Sequence, residues 1–368
     1  MTTDARRPLK VGVIGLGFGR THIQGYQATE GVEVIAVCQR RKDRAEAVAN
    51  EFGIPNVFTD YRELINLDEI DAVSIASPPY LHLPMVSEAV KAKKHVLCEK
   101  PLAINAQEGY QMLKALQEAG LIHMTAFNWR HIPAFTRMKE LIDEGYVGEI
   151  FHVQARWLSD GRANPERPRT WRANRDEAGV GAMGDTGVHL IDMIRWIAGD
   201  VRRISALTST YMKEIRQPRS GEVYTSNVDD SCSFVAETVG GAQVVSQVSS
   251  VAPGRNSIQV EVSGKKGTLF YEIDRSRPDW MIGILKGTQE LGKGLQELPI
   301  PERLLEGLDR SQLATAAGRF VFAKITREFA RGIRGNIPVE PSLYQGVKAQ
   351  EVLDAIEQSN REGRWVEL

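Results

Sequence analysis

Cysteine is scarce in this 368-residue chain: Cys38, Cys98 and Cys232 are widely spaced and form no CxxC pair. That excludes a disulfide framework and leaves no zinc-ligand spacing, so no metal site is expected. Cys38 and Cys98 close apolar runs, where a small buried thiol is the expected role. Long apolar runs are missing as well. None approaches the roughly 18 residues that a membrane-spanning helix needs. The opening MTTDARRPLK holds no apolar core of a secretory leader, so a cytoplasmic protein is expected. Charge of one sign is also lacking. Lys and Arg number 46 against 47 Asp and Glu, a formal net charge of -1, which excludes a general attraction to nucleic acid or an anionic membrane. The chain contains no internal repeat and no low-complexity tract.

What is present is a rhythm. From residue 9 to 125, short apolar runs alternate with helical patterns. LKVGVIG, VEVIAVC, DAVSIAS, HVLCEK and LIHMTAF are rich in Val and Ile and do not alternate, as expected of strands covered on both faces. Between them, DRAEAVANEFG, LPMVSEAVKAKK and AQEGYQMLKALQEAG read as helices. The last places Tyr110, Leu113 and Leu116 on one apolar side and stops at Gly120. A β-α-β-α series implies a parallel sheet with its ligand crevice at the carboxyl ends of the strands. After about residue 127 the pattern changes. A helix ending at Gly145, the strand GEIFHVQARW and a polar loop from Ser159 to Gly181 precede a helix over DTGVHLIDMIRWIAG, closed by Gly199. The alternating segments SCSFVAETV, AQVVSQVSS, SIQVEVS and TLFYEI, separated by turns, then predict a mostly antiparallel sheet. Helices near 313–334 and 343–361 finish the chain. The expected fold is therefore α/β with two domains. Residues 1–126 form one domain around the parallel sheet, and residues 127–368 an α/β domain around the mostly antiparallel sheet, its C-terminal helix free to pack back on the first domain.

VGVIGLGFGR sets Gly15, Gly17 and Gly19 between a strand and a helix, with Phe18 and Arg20 in the same loop. Gly15 permits a tight turn, and Gly17 lets the backbone approach a pyrophosphate at the helix N-terminus. A strict GxGxxG needs its third glycine at position 20, which is Arg20 here. The second strand runs into Gln39, Arg40 and Arg41, where an acid normally accepts from the adenosine ribose. An amide and guanidinium groups suit a 2′-phosphate instead, which favours NADP over NAD; solvated arginines are the other reading.

The segments VIGLGFGRTHI, SIASPPYLH, HVLCEKPLA, FNWRHIPAF, TWR, GAMGDTGVHLID and PSLYQGVKAQEVLDAI together resemble the glucose–fructose oxidoreductase / inositol dehydrogenase / MocA-like family along essentially the whole chain. The resemblance implies a Rossmann domain followed by an open-sheet domain that commonly mediates oligomerisation, hence a homodimer or homotetramer. It implies that Lys100 of the EKP segment enters the active site and that Glu99 contacts the nicotinamide end of the cofactor. An ammonium at a strand end can polarise a substrate hydroxyl or carbonyl. In DTGVH, Asp185 and His189 stand at i and i+4, which places them on one face if the helix begins there. By resemblance His189 is the acid/base group, Lys100 assists, and Asp185 binds or orients substrate. Asp192 is assigned either to the site or to structure. Ser77, Pro78, Pro79 and His82 are candidate cofactor contacts on the loop after a strand. Asn128, Trp171 and Arg172 match positions near the nicotinamide or substrate, although Trp171 equally suits a core.

The function these features imply is NAD(P)-dependent oxidation of a CH–OH group on a sugar, cyclitol or related polyol, with substrate held by Lys100, Asn128, Arg172, Asp185 and His189. A redox-neutral glycoside hydrolase or lyase that uses bound nicotinamide transiently, and a non-catalytic cofactor sensor, are the alternatives. Arg156, Arg162, Arg167, Arg169, Arg172 and Arg175 crowd one segment, which suits either an acidic substrate or a solvated or subunit-contacting loop.

Overall fold

The computed structural model describes residues 7–168, 170–309 and 313–368, so Arg169 lies outside the described residues. By contacts the chain forms two compact units. One comprises the residues up to Asn128 together with 315–347, the other 129–314 with 348–368.

In the first unit six parallel strands, β1 (Leu9–Ile14), β2 (Val32–Cys38), β3 (Asn56–Phe58), β4 (Ala72–Ile75), β5 (His95–Cys98) and β6 (His123–Thr125), lie in the order β3-β2-β1-β4-β5-β6. Val11, Val13, Val73, Ile75, Val96 and Leu97 are all fully buried, which explains their unbroken apolar runs: both faces of the sheet are covered. Helices α1 (Gly19–Gln27), α2 (Lys42–Phe52), α3 (Tyr61–Ile65), α4 (His82–Lys91) and α5 (Ala106–Glu118) connect them. Residues from α1 and α2 share one core with β1, and those of α3, α4 and α5 share a second. The first core also contains Phe322, Ile325, Phe329 and Ile333 of α9 (Leu313–Gly335). That packing is why 315–347 groups with the first unit; the sequence expectation placed 127–368 in the second, with the C-terminal helix free to pack back on the first. The order of strands reverses direction at β1 and β4, so their carboxyl ends form the crevice where an α/β sheet binds its ligand.

One expected detail is corrected. In α5, Met112, Leu113 and Leu116 are buried, but Tyr110 is 44% exposed. At 3.6 residues per turn Tyr110 sits about 60° round the helix from Leu113, enough to carry its ring off the edge of the buried stripe. The short strand β3 was also unforeseen, its three residues being too few for a periodic pattern.

The second unit is built on strands β7 (Ile150–Ser159), β8 (Val201–Ser209), β9 (Glu214–Arg216), β10 (Val223–Thr225), β11 (Ser231–Thr238), β12 (Gln243–Ser249), β13 (Asn256–Gly264), β14 (Thr268–Asp274), β15 (Ile284–Thr288), β16 (Gln296–Glu297) and β17 (Val366–Glu367). Nine of them make one sheet in the order β16-β15-β14-β13-β7-β12-β11-β8-β17, with β9 and β10 paired separately. Among the described residues, only the β12–β7 pair of that sheet is parallel. Helices α6 (Pro133–Asp143), α7 (Arg175–Ala178) and α8 (Val188–Ala198) precede β8, and α10 (Leu343–Glu362) ends in this unit. Phe135 of α6 packs edge-on against Tyr271 of β14 and beside Trp196 of α8. The opposite sheet face leaves Leu207, Val235 and Val245 exposed, with Val235 and Val245 directly paired.

Candidate active site

At the first crevice the chain turns sharply at Gly15, whose φ is +87°. A Cβ there would stand 2.5 Å from the carbonyl oxygen of Ala76, so only glycine fits. A Cβ on Gly17 would meet nothing within 4 Å, which leaves that side of the loop open to a ligand. Gly19 opens α1, and a Cβ on it would come to 3.1 Å from Val13 Cγ1. Gly19 therefore supplies the close helix–strand approach one position earlier than the strict fingerprint asks of its third glycine. The first turn of α1 has no side-chain cap and no acidic residue. Its orphan N–H groups and positive dipole end fit the pyrophosphate of a dinucleotide. Phe18 is 44% exposed in this loop. Arg20 points to α2, paired through two contacts with Glu51 and lying over the Phe52 ring.

Gln39 follows β2 with its N–H on Phe58 O. Arg41 is tied to Asp43 by two hydrogen bonds, while Arg40 is exposed beside it. Ser77 and Pro78 follow β4, and Pro79 begins a short helical turn. His82 has no exposed surface, and its ring nitrogens lie 2.9 Å from the Leu102 and Ser77 carbonyls. Burial pulls its pKa down against those carbonyls and Glu99. Its ring thus ties two loops together, and any part it has in cofactor binding is through their backbone.

Glu99 and Lys100 follow β5. Glu99 is buried, accepts from the Lys100 N–H at 3.1 Å, and lies 3.0 Å from Nε2 of His22. The other nitrogen of His22 is 2.7 Å from the Ser74 hydroxyl. His22 is fully buried in α1 and lies against the Phe322 ring. Neither His22 nor Ser74 stood out in the sequence. Their signal was a lone histidine on an apolar helix face, which ordinarily means only packing.

In the second unit, Asp185 does not begin an α-helix. Met183–Gly187 forms a single π-helical turn that runs into α8 at Val188. The i, i+4 argument for Asp185 and His189 therefore does not hold as stated, because the π-turn inserts an extra residue between their faces. Two glycines enable it. A Cβ on Gly181 would fall 1.9 Å from Asp229 O, and one on Gly187 2.6 Å from Met183 Sδ. Asp229 holds the entry to the turn, accepting from Gly181 N and Met183 N at 2.6 and 2.9 Å. Burial raises its pKa, against those two donors and Arg162.

Asp185 lies 3.3 Å from Arg172 Nε, and the Arg172 guanidinium stacks 4.4 Å over the Trp171 ring. His189 is buried at 5% exposure. Its ring stacks near Trp157 of β7 with centroids 6.0 Å apart and meets Trp129 edge-on at 6.2 Å. Asp192 is paired with Arg130 by bonds of 2.7 and 2.6 Å, with both side chains at most 5% exposed. Arg130 also lies 5.0 Å over Trp196. The pair joins the turn that carries Trp129 to the helix that carries His189. The structure thus joins Trp171, Arg172 and Asp185, and separately walls His189 with tryptophans. Glu99, Lys100 and Asn128 belong to the first unit, where Asn128 closes the turn after β6. Among the described residues no group of three or more His, Cys, Asp or Glu is placed to hold a metal. All three cysteines are buried thiols, Cys38 and Cys232 pushed up to about 12 by burial. No helix among the described residues is long and apolar enough to cross a membrane.

The chain is similar to known proteins over most of its length. A family model described as an oxidoreductase family with an NAD-binding Rossmann fold matches residues 9–127, and the GFO/IDH/MocA C-terminal domain matches residues 135–270. Levoglucosan dehydrogenase of Pseudarthrobacter phenanthrenivorans is 29% identical over 398 residues, covering 98% of each chain. Myo-inositol 2-dehydrogenase of Thermotoga maritima is 30% identical over 264 residues, 71% of this chain and 75% of that one. A solved structure of levoglucosan dehydrogenase in complex with NADH and L-sorbose superposes with a TM-score of 0.89 at 29% identity, over 98% of this chain and 99% of that one.

Proposed function

The chain belongs to the glucose–fructose oxidoreductase / inositol dehydrogenase / MocA oxidoreductase family, and we propose that it is an NAD(P)-dependent dehydrogenase acting on a CH–OH group of a sugar, cyclitol or related polyol. The observation that carries this reading is His189, buried against the paired rings of Trp157 and Trp129 on the helix that follows the Asp185 turn. An imidazole is the side chain here suited to taking the hydroxyl proton as general base. Asp185, oriented by Arg172, accepts a hydrogen bond from a substrate hydroxyl. Lys100 stabilises negative charge that develops on the reacting oxygen. Glu99, fixed by His22 and the Lys100 N–H, orients the nicotinamide end of the cofactor. When bound, nicotinamide supplies exchange of a hydride at ring C4. The exposed Arg40 and the amide of Gln39, in place of an acid, favour the 2′-phosphate of NADP.

The relatives support the substrate class, since one is named for levoglucosan and another for myo-inositol. Homo-oligomerisation through the exposed face that carries Leu207, Val235 and Val245 is part of the same proposal. The test is a panel of sugars and polyols offered with NAD and with NADP, following absorbance of the reduced nicotinamide. Substrate-dependent reduction is the expected result. Cleavage of a glycoside with no net reduction, or cofactor binding without turnover of any substrate, would overturn it in favour of a hydrolase or a sensor.

A further inference from the structure

The second unit contains a cavity of about 360 Å³, which lies within the usual range of small-molecule sites. Its charged lining consists of Arg162, Arg167, Arg172 and Asp185, with Tyr224 and Ser250 among its polar groups. Among the described residues of that lining, Asp185 is the one acid. It is shared, with Arg172 Nε at 3.3 Å from Oδ1 and Arg162 Nη2 at 3.5 Å from Oδ2. Arg162 is 13% exposed at its side chain, and its buried Nη2 makes no hydrogen bond. Arg167 donates to the Arg162 carbonyl at 2.8 Å, which brings two guanidinium groups into one wall. Burial and the Arg162 charge both pull the Arg167 pKa down, against Tyr224 and Asp230. Two more acids outside the lining offset part of this charge, acting on Arg162 and Arg167, and backbone donors fix them in place. Asp229 accepts from Gly181 and Met183, and Asp230 from Tyr211 and Met212. On the lining itself three guanidinium groups stand with one carboxylate, and a carboxylate or phosphate oxygen is the ligand group that pairs best with a guanidinium fork.

We propose that this cavity binds an anionic substituent, carboxylate or phosphate, on a monosaccharide, so that the substrate is an acidic sugar. The inference rests on the dehydrogenase reading for its chemistry. Asp185 in the same cavity orients a hydroxyl while Arg162 and Arg167 hold the anion. Because the Arg172 guanidinium is stacked on Trp171, selectivity for the charge falls mainly on Arg162 and Arg167.

The experiment compares glucose, myo-inositol and levoglucosan with gluconate, glucuronate, galacturonate and glucose 6-phosphate as substrates, for the native protein and for the Arg162→Gln and Arg167→Gln variants. An anionic sugar is expected to give the highest kcat/KM, with acids and the phosphate ester distinguishing the two anion types. Each variant is expected to lower that value about tenfold to a hundredfold more than it lowers the best neutral value, the loss of a charge-assisted bond. A neutral sugar as best substrate, or equal losses on both classes, overturns the proposal. If no sugar is oxidised, the dehydrogenase reading fails, and calorimetry with gluconate and inorganic phosphate decides the anion site separately. Binding that Arg162→Gln abolishes sustains the site, and no binding removes it.

Discussion

Nε2 of His22 lies 3.0 Å from Oε1 of Glu99, between α1 behind the glycine loop and the residue after β5. This bond links the two segments of the first unit that the dehydrogenase reading assigns to the cofactor. The His22→Leu variant retains a buried carboxylate with one donor fewer. The expected loss is about 1–3 kcal/mol of stability by urea unfolding. Glu99→Gln should cost less in the His22→Leu variant than in the native protein, because the partner is already gone. Additive losses would show that the contact carries no coupling.

Asp192 and Arg130 form a buried ion pair, and their removal tests a structural rather than a chemical role. Asp192→Ala leaves a guanidinium buried without its partner, a loss of roughly 3–5 kcal/mol. The double variant Arg130→Met, Asp192→Leu should recover most of that stability. If it recovers stability and also turnover, the pair only holds Trp129 and His189 in place. If Asp192→Ala unfolds no more easily than the native protein, the assignment is wrong.

Cofactor choice should divide unequally between neighbouring arginines. Arg41 is already engaged by Asp43, whereas Arg40 is exposed after β2. Arg40→Ala is expected to weaken NADP about tenfold relative to NAD, the scale of one charge-assisted contact. Arg41→Ala should change the ratio less. Fluorescence titration of both reduced cofactors measures it, and a native preference for NAD rejects the reading of this segment.

Acid should destabilise the first unit through its buried histidines. Burial pulls His82, His95 and His123 below the ordinary imidazole value. His95 and His123 also use Nδ1 to accept backbone N–H groups, from Ile122 and Leu343, which protonation of Nδ1 would prevent. Below about pH 6.5 the unfolded chain binds protons that the folded unit does not. Stability is therefore complete above that pH and falls as pH drops toward the lowered folded values. The slope is at most about 1.4 kcal/mol per pH unit for each proton. Urea unfolding at about pH 7.5 and about pH 5.5 checks the sign; greater stability at the lower pH contradicts it.

What could be read from the sequence was local. The β-α alternation, the glycine loop and the EKP and DTGVH segments each lie within a short window, and burial on both sides of a parallel sheet writes itself as apolar runs. The contacts that finish the site are long-range. His22 meets Glu99 across 77 residues and Arg130 meets Asp192 across 62. A periodicity cannot register such pairs, and each member alone looks like an ordinary helix residue. The π-turn was hidden for a different reason. Gly181 and Gly187 leave room for it, but it is Asp229, far along the chain, that holds its entry through backbone N–H groups. Likewise α9 reads as a helix anywhere, and only the packing of Phe322 and Phe329 assigns it to the first unit.

The measurement closest to the central claim is steady-state turnover of His189→Ala on the best sugar of the panel, alongside titration of its cofactor affinity. If His189 carries the hydroxyl proton, kcat falls by about 10²–10⁴, while cofactor affinity stays within about threefold, under 1 kcal/mol. Near-native turnover with the cofactor still bound would contradict it.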